Sequence, residues 1–97
     1  MDSRLILRER SEQTDGSFFE IVVWQLPEPV PPCTHSFKYR LVWIKGGRRW
    51  IGFDNERGKG DHVHRLGREY RYEFESIEKL IDDFRQEIEQ CQVEISR

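Results

Sequence analysis

The sequence predicts an α+β fold, an antiparallel sheet of five or six strands with one amphipathic helix packed on one face. Three observations predict it. Gly46-Gly47 separates two runs rich in aromatic and β-branched residues, which is the pattern of a hairpin closed by a two-residue type I′ turn. Residues 68–75 alternate, with Glu69, Arg71, Glu73 and Glu75 on one side and Tyr70, Tyr72 and Phe74 on the other, the period of a half-buried strand. Ile77, Leu80, Ile81, Phe84 and Ile88 then recur at helical spacing and make a single apolar stripe.

Ninety-seven residues suit one domain, 1–97, with a single core. Charged residues make up 35% of the chain and hydrophobic ones 36%, so that core has to be compact and drawn largely from the aromatic side chains. No apolar run reaches the length of a membrane span. Met1 is followed at once by charged residues, without the apolar segment of a signal peptide. The expectation is a cytoplasmic protein with no membrane partner. Cys33 and Cys91 form no CxxC pair, and reduced thiols are expected. Cys91 falls near the helix stripe as a small core residue, whereas the role of Cys33 is open.

In chain order, a first strand is expected over residues 3–10, a turn around Asp15-Gly16, and a second strand over 18–26. The run Ile21-Val22-Val23-Trp24 is apolar on both faces, which places that strand inside the sheet. Pro27, Pro29, Pro31 and Pro32 make the next segment a stiffened, extended connection. Strands over 37–45 and 48–54 flank the Gly-Gly turn. Counting outward from that turn pairs Trp43 with Trp50, Val42 with Ile51 and Tyr39 with Asp54. The facing tryptophans read as a cross-strand core pair or as a stacking platform for bases. Residues 54–65 read as a long charged loop, extended at its end, and 68–75 as the fifth strand. Ser76 is a good N-cap for a helix over 76–90, and residues 92–97 stand as a sixth short strand or a frayed end.

The chemistry concentrates in residues 54–65. Asp54, Glu56 and Asp61, Arg57, Lys59 and Arg65, and two histidines fall within twelve positions, with Gly58 and Gly60 between them. Alternation in an extended segment puts His62 and His64 on one face and Val63 on the other. The plainer reading is a solvated charged loop. Net charge is -2 overall, but residues 38–72 carry +6 and residues 73–97 carry -5. A basic middle of this kind attracts polyanions locally, and an internally paired surface gives the same counts.

The run Gly52-Phe53-Asp54-Asn55-Glu56-Arg57-Gly58-Lys59-Gly60-Asp61-His62-Val63-His64 is similar to the (Y/F)DNxxGKGDHxH signature of TumE-type toxins, small prokaryotic proteins of toxin–antitoxin pairs. The resemblance continues through Tyr70 to Phe74 and Leu80 to Phe84, so it spans roughly residues 37–90, and the first 36 residues add little to it. It implies the toxin component of a type II toxin–antitoxin system, with RNA as its target and a small helix-turn-helix antitoxin as its partner. Asp54, Asn55, Gly58, Lys59, Gly60, Asp61, His62 and His64 carry over from the motif; Cys33, Trp43 and Trp50 do not.

Beside the resemblance, the residues leave three readings open. As a metal-independent endoribonuclease without a cofactor, the chain would use His62 and His64 as base and acid, with Asp61 orienting one imidazole and Asp54 nearby. Lys59, with Arg57 or Arg65, would stabilise charge on phosphorus, and Asn55, Gly58 and Gly60 would line the substrate. As a non-catalytic module, the loop would dock a protein or nucleic acid. As a metal site, the histidine pair and Asp61 or Asp54 would be ligands of Zn or Mn. RNA and a second copy of the chain join the antitoxin as candidate partners.

Overall fold

A computed structural model of the chain describes residues 2–96. Six strands run in order across one antiparallel sheet: β1 (Arg4–Glu12), β2 (Phe18–Gln25), β3 (Phe37–Lys45), β4 (Arg48–Glu56), β5 (Gly60–Arg65) and β6 (Arg68–Arg71). The helix α1 (Ile77–Ile95) follows and covers one face. Among the described residues no helix is long and apolar enough to cross a membrane.

The expected elements are present, with four differences. Residues 54–65 are not a loop. β4 continues to Glu56, a tight turn at 57–59 reverses the chain, and β5 begins at Gly60. Gly58 and Gly60 take φ of +81° and +82°, the left-handed region in which a side chain is strained. The strand expected over 68–75 stops at Arg71, and Tyr72 and Phe74 leave the ladder to pack against the core edge. The sixth strand is therefore β5, not residues 92–96. Residues 92–95 extend α1 instead, because Cys91 and Ile95 carry the Phe84–Ile88 stripe onward by one more turn each, Ser96 caps the helix, and Arg97 lies outside the described residues. At the other end of α1, Ser76 Oγ accepts the Lys79 N–H at 3.1 Å.

The fourth difference decides where the chemistry lies. Gly46 and Gly47 both have positive φ, as a type I′ turn requires. Beyond it the register shifts between Trp43 and Ile44, leaving Trp50 as the unpaired residue of a bulge. Trp43 then faces Ile51, Val42 faces Gly52 and Arg40 faces Asp54. A one-residue slip sends every later side chain to the opposite face, so Asp54 does not emerge beside Tyr39, and the two tryptophans do not pair. Trp43 is fully buried. Trp50 donates its indole N–H to Lys45 O at 3.0 Å and lies under the Arg48 guanidinium.

The core fills the space between α1 and one sheet face. Ile21 and Val23 from β2, Tyr39, Leu41 and Trp43 from β3, and Ile51 and Phe53 from β4 meet Leu80, Phe84 and Cys91 from the helix. Each is buried, because strand alternation at period two and the helix stripe present matching apolar surfaces. Arg65 ties the two layers together, donating to Glu87 Oε2 at 2.6 Å and Glu94 Oε1 at 2.7 Å on the helix. Among the described residues the opposite face of the sheet carries no helix.

Candidate functional site

On that helix-free face the registers align one residue from every strand: Arg8, Val22, Arg40, Asp54, His62 and Arg71. The next row holds Arg10, Glu20, Val42, Gly52, His64 and Glu69. Directly paired residues on one face lie about 4.5–5.5 Å apart, so the rows bring Asp54, His62 and His64 into one cluster. The rings of His62 and His64 sit 5.2 Å apart, edge to face. One ligand-type atom from each of the three residues lies within 4.8 Å of the others.

His62 is 3% exposed, and its hydrogen bonds fix its orientation. Gly60 O can only accept, so at 3.0 Å the His62 Nδ1–H donates to it. Nε2 then faces Asp54 Oδ1 in direct contact. Both atoms are buried, and neither has another polar partner among the described residues. With the Nδ1–H given to Gly60 O, contact between Nε2 and a carboxylate oxygen calls for a positive charge between them, either a second ring proton or a metal ion. His64 is less enclosed, with Nε2 at 3.6 Å from Glu69 Oε2. Burial first, and Arg49 second, hold its pKa below the ordinary histidine value. Arg49 reaches it because Gly52 has no side chain: a Cβ there would stand 3.2 Å from Arg49 Cδ.

A second cluster occupies the helix side of the same strand. Alternation turns Asp61 away from His62, to the face of Tyr39. Asp61 Oδ1 accepts the Tyr39 hydroxyl at 2.7 Å and lies 2.8 Å from His35 Nε2, and Cys33 Sγ is 3.5 Å from Oδ2. His35 and Cys33 come from the proline-rich connection, which folds back onto the β4–β5 turn. The Gly58 N–H donates to Pro31 O at 3.0 Å, and a Cβ on Gly60 would meet Pro32 Cγ at 3.0 Å. The Phe37 N–H donates to His35 Nδ1 at 3.2 Å. That nitrogen is therefore the bare one, and the proton of the neutral ring sits on Nε2, donated to Asp61. The ring stacks on Phe74 at 3.9 Å. Burial pushes the pKa of Tyr39 and of Cys33 above ordinary values.

The other residues singled out in the sequence divide between these surroundings. Asn55 is buried and serves the sheet, its amide accepting from Tyr39 N at 3.0 Å and donating to Phe37 O at 2.7 Å. Arg65 is committed to the helix carboxylates and lies away from the histidines. Lys59 pairs with Glu69 at 2.5 Å, each stabilising the charged form of the other. Arg57 is exposed in the turn with no ion pair among the described residues. Sequence reasoning missed Arg40, Arg49 and Arg71, which flank the triad, and Arg8, two strands beyond Arg40 in the same row; none of the four forms an ion pair among the described residues. It also missed His35. The signal for the arginines lies in the registers, which the Trp50 bulge conceals; for His35 it was the proline brace, which fixes where the connection returns. A cleft of about 1030 Å³ opens beside β5 and β6, with His62, Lys59, Glu69 and Arg71 on one side and His35 and Asp61 on the other.

The model of one protein family, described as Toxin TumE, matches residues 2–92. The match includes the first 36 residues, to which the motif alone gave little weight. No curated protein and no solved structure matches the chain.

Proposed function

The chain belongs to the TumE toxin family, and from that premise we propose that this toxin of a toxin–antitoxin system acts by cleaving RNA on the helix-free face of its sheet. The observation that carries the reading is the placement of the Asp54–His62–His64 cluster beside Arg40, Arg49 and Arg71, with Arg8 further along the row, none of them in an ion pair among the described residues. Arg8 and Arg40 lie along the row on one side, Arg71 on the other, and Arg49 beside His64. Unpaired cations across an uncovered sheet suit a phosphate backbone, and the groups able to move protons sit among them.

The reaction needs no metal. The 2′-oxygen of a ribose attacks the adjacent phosphorus and gives its proton to His64, the general base. The bond to the 5′-oxygen breaks, and that oxygen takes the proton held by His62. The products are a 2′,3′-cyclic phosphate and a 5′-hydroxyl, with His64 left protonated and His62 neutral, to be reset by exchange with water. Asp54 and Gly60 O keep His62 in its donating orientation, and Arg49 and Arg71 stabilise charge on the phosphoryl oxygens. Asp61 has no part in proton transfer and holds the cleft wall in place.

Membership implies an antitoxin partner, and we assign it the small helix-turn-helix type. Expression of the chain alone should arrest growth with loss of intact RNA, and His64→Ala should abolish both. Co-expression with the neighbouring helix-turn-helix protein should relieve the arrest and give one complex on size exclusion. Arrest with intact RNA would overturn the RNA reading, and separate elution at micromolar concentration would overturn the partner.

A further inference from the structure

We propose that Asp54, His62 and His64 form a binding site for a divalent transition-metal ion, which takes the place of the proton that Asp54 and His62 share. His62 is preset for it. Metal-bound histidines almost always donate their other ring N–H to a carbonyl or carboxylate, which fixes the tautomer and aims the lone pair. The Nδ1–H of His62 already donates to Gly60 O, so Nε2 is the ring nitrogen that faces the Asp54 carboxylate and is free to exchange its proton for a metal ion. These two buried atoms have no polar partner but each other among the described residues.

The third ligand stands next to them. Metal–nitrogen and metal–oxygen bonds of about 2.0–2.2 Å let ligands of one ion lie up to roughly 4 Å apart. The three ligand atoms lie within 4.8 Å of one another, so a small contraction closes the set around one ion. Two imidazoles and one carboxylate select zinc, manganese, nickel or ferrous iron; magnesium and calcium demand more oxygen ligands. Three protein ligands leave coordination positions open towards the arginine-lined surface.

The second cluster shows that composition alone does not make such a site. Cys33, His35 and Asp61 are as closely grouped. There the Phe37 N–H occupies the lone pair of His35 Nδ1, which fixes the proton on Nε2, the nitrogen that faces Asp61. A metal at Nε2 would require the ring proton to move to Nδ1, where it would point at the Phe37 N–H. The ring is wired against ligation, and the ion goes to the outer face.

Occupation has a consequence that rests on the RNA-cleavage reading: an ion bound through His62 Nε2 and His64 removes both the acid and the base, so zinc silences the toxin. Binding itself does not depend on that reading. The test is calorimetric titration of the EDTA-treated, desalted full chain with zinc chloride, manganese chloride and magnesium chloride, with thermal melting in parallel and RNA cleavage as a separate readout. The expected result is one zinc per chain, a raised melting temperature and no magnesium binding. His64→Ala and Asp54→Asn should each weaken zinc by about tenfold or more, while His35→Ala leaves it unchanged. Stoichiometric zinc should stop cleavage that proceeds in EDTA. Absence of zinc binding, or binding undiminished in both His64→Ala and Asp54→Asn, overturns the site. Zinc binding at the triad with RNA left intact in EDTA sustains the site and overturns the cleavage reading instead.

Discussion

Asp61 and His62 are neighbours in the chain, yet each anchors a different cluster on a different face of one strand. Both clusters combine histidine with a buried or half-buried carboxylate. In the helix-side cluster the carboxylate and the imidazole are matched: Asp61 accepts from Tyr39 and His35, and His35 accepts from Phe37. On the helix-free side Asp54 Oδ1 and His62 Nε2 meet in burial with only a shared proton or a metal ion to reconcile them. Satisfied polar networks contribute rigidity, and underdetermined ones near exposed positive charge contribute chemistry. Hydrogen-bond direction, more than residue type, separates the brace from the proposed site.

The largest expected effect follows from that division. His62→Ala or His64→Ala should lower RNA cleavage by roughly two to four orders of magnitude, the usual loss for a general acid or base. His35→Ala should leave the rate of folded protein within a few-fold. Initial rates on one RNA substrate, with circular dichroism to confirm folding, make the comparison; equal losses in all three variants would erase it. Stability should show the reverse order. Asp61→Ala strands the Tyr39 hydroxyl and the His35 N–H in buried surroundings, at about 1–3 kcal/mol for each unsatisfied group. Even at the low end of that range, in a domain of this size, the melting temperature falls by roughly 10 °C or more, and His64→Ala should change it by less than a third as much.

Smaller effects test the surface. Arg40→Gln and Arg71→Gln should weaken RNA binding evenly across sequences and reduce the salt slope of log K by about 0.7 each. Arg65→Gln, whose partners are on the helix, should leave the slope unchanged. Fluorescence anisotropy at several salt concentrations reads both. A carboxylate outside both clusters sets the background. Hydrogen bonds from the Ser17 hydroxyl and N–H hold the Asp15 pKa down at about 2. Its folded value lies below the unfolded ~3.9, so its contribution is present above that value and lost as pH falls through about 2. Asp15→Asn should therefore lower the melting temperature slightly at pH 7, with the difference vanishing near pH 2; a pH-independent difference would assign the effect to packing.

Much of the fold was legible because its signals are local. The Gly46-Gly47 turn, the Ser76 cap and the Phe84 stripe each act within a few residues. The face of Asp54 was not, because one bulged residue, Trp50, inverts it, and no residue type announces a bulge. The β4–β5 hairpin was hidden for a related reason. Its outward residues are Asp54, His62 and His64, so it lacks the apolar alternation by which strands are read. The histidine pair was still visible from the x-spacing of His62 and His64, which requires only an extended backbone. Asp61 was misplaced by proximity in sequence: alternation separates it from the histidine it adjoins, and its true partner, His35, arrives from 26 residues earlier.

End-group analysis of RNA incubated with the purified toxin in EDTA tests the central claim most directly. The account predicts fragments ending in a 2′,3′-cyclic phosphate and a 5′-hydroxyl, formed by the wild type and by His35→Ala and absent with His64→Ala. Intact RNA, or fragments with 3′-hydroxyl and 5′-phosphate ends that appear only when metal is restored, would contradict it.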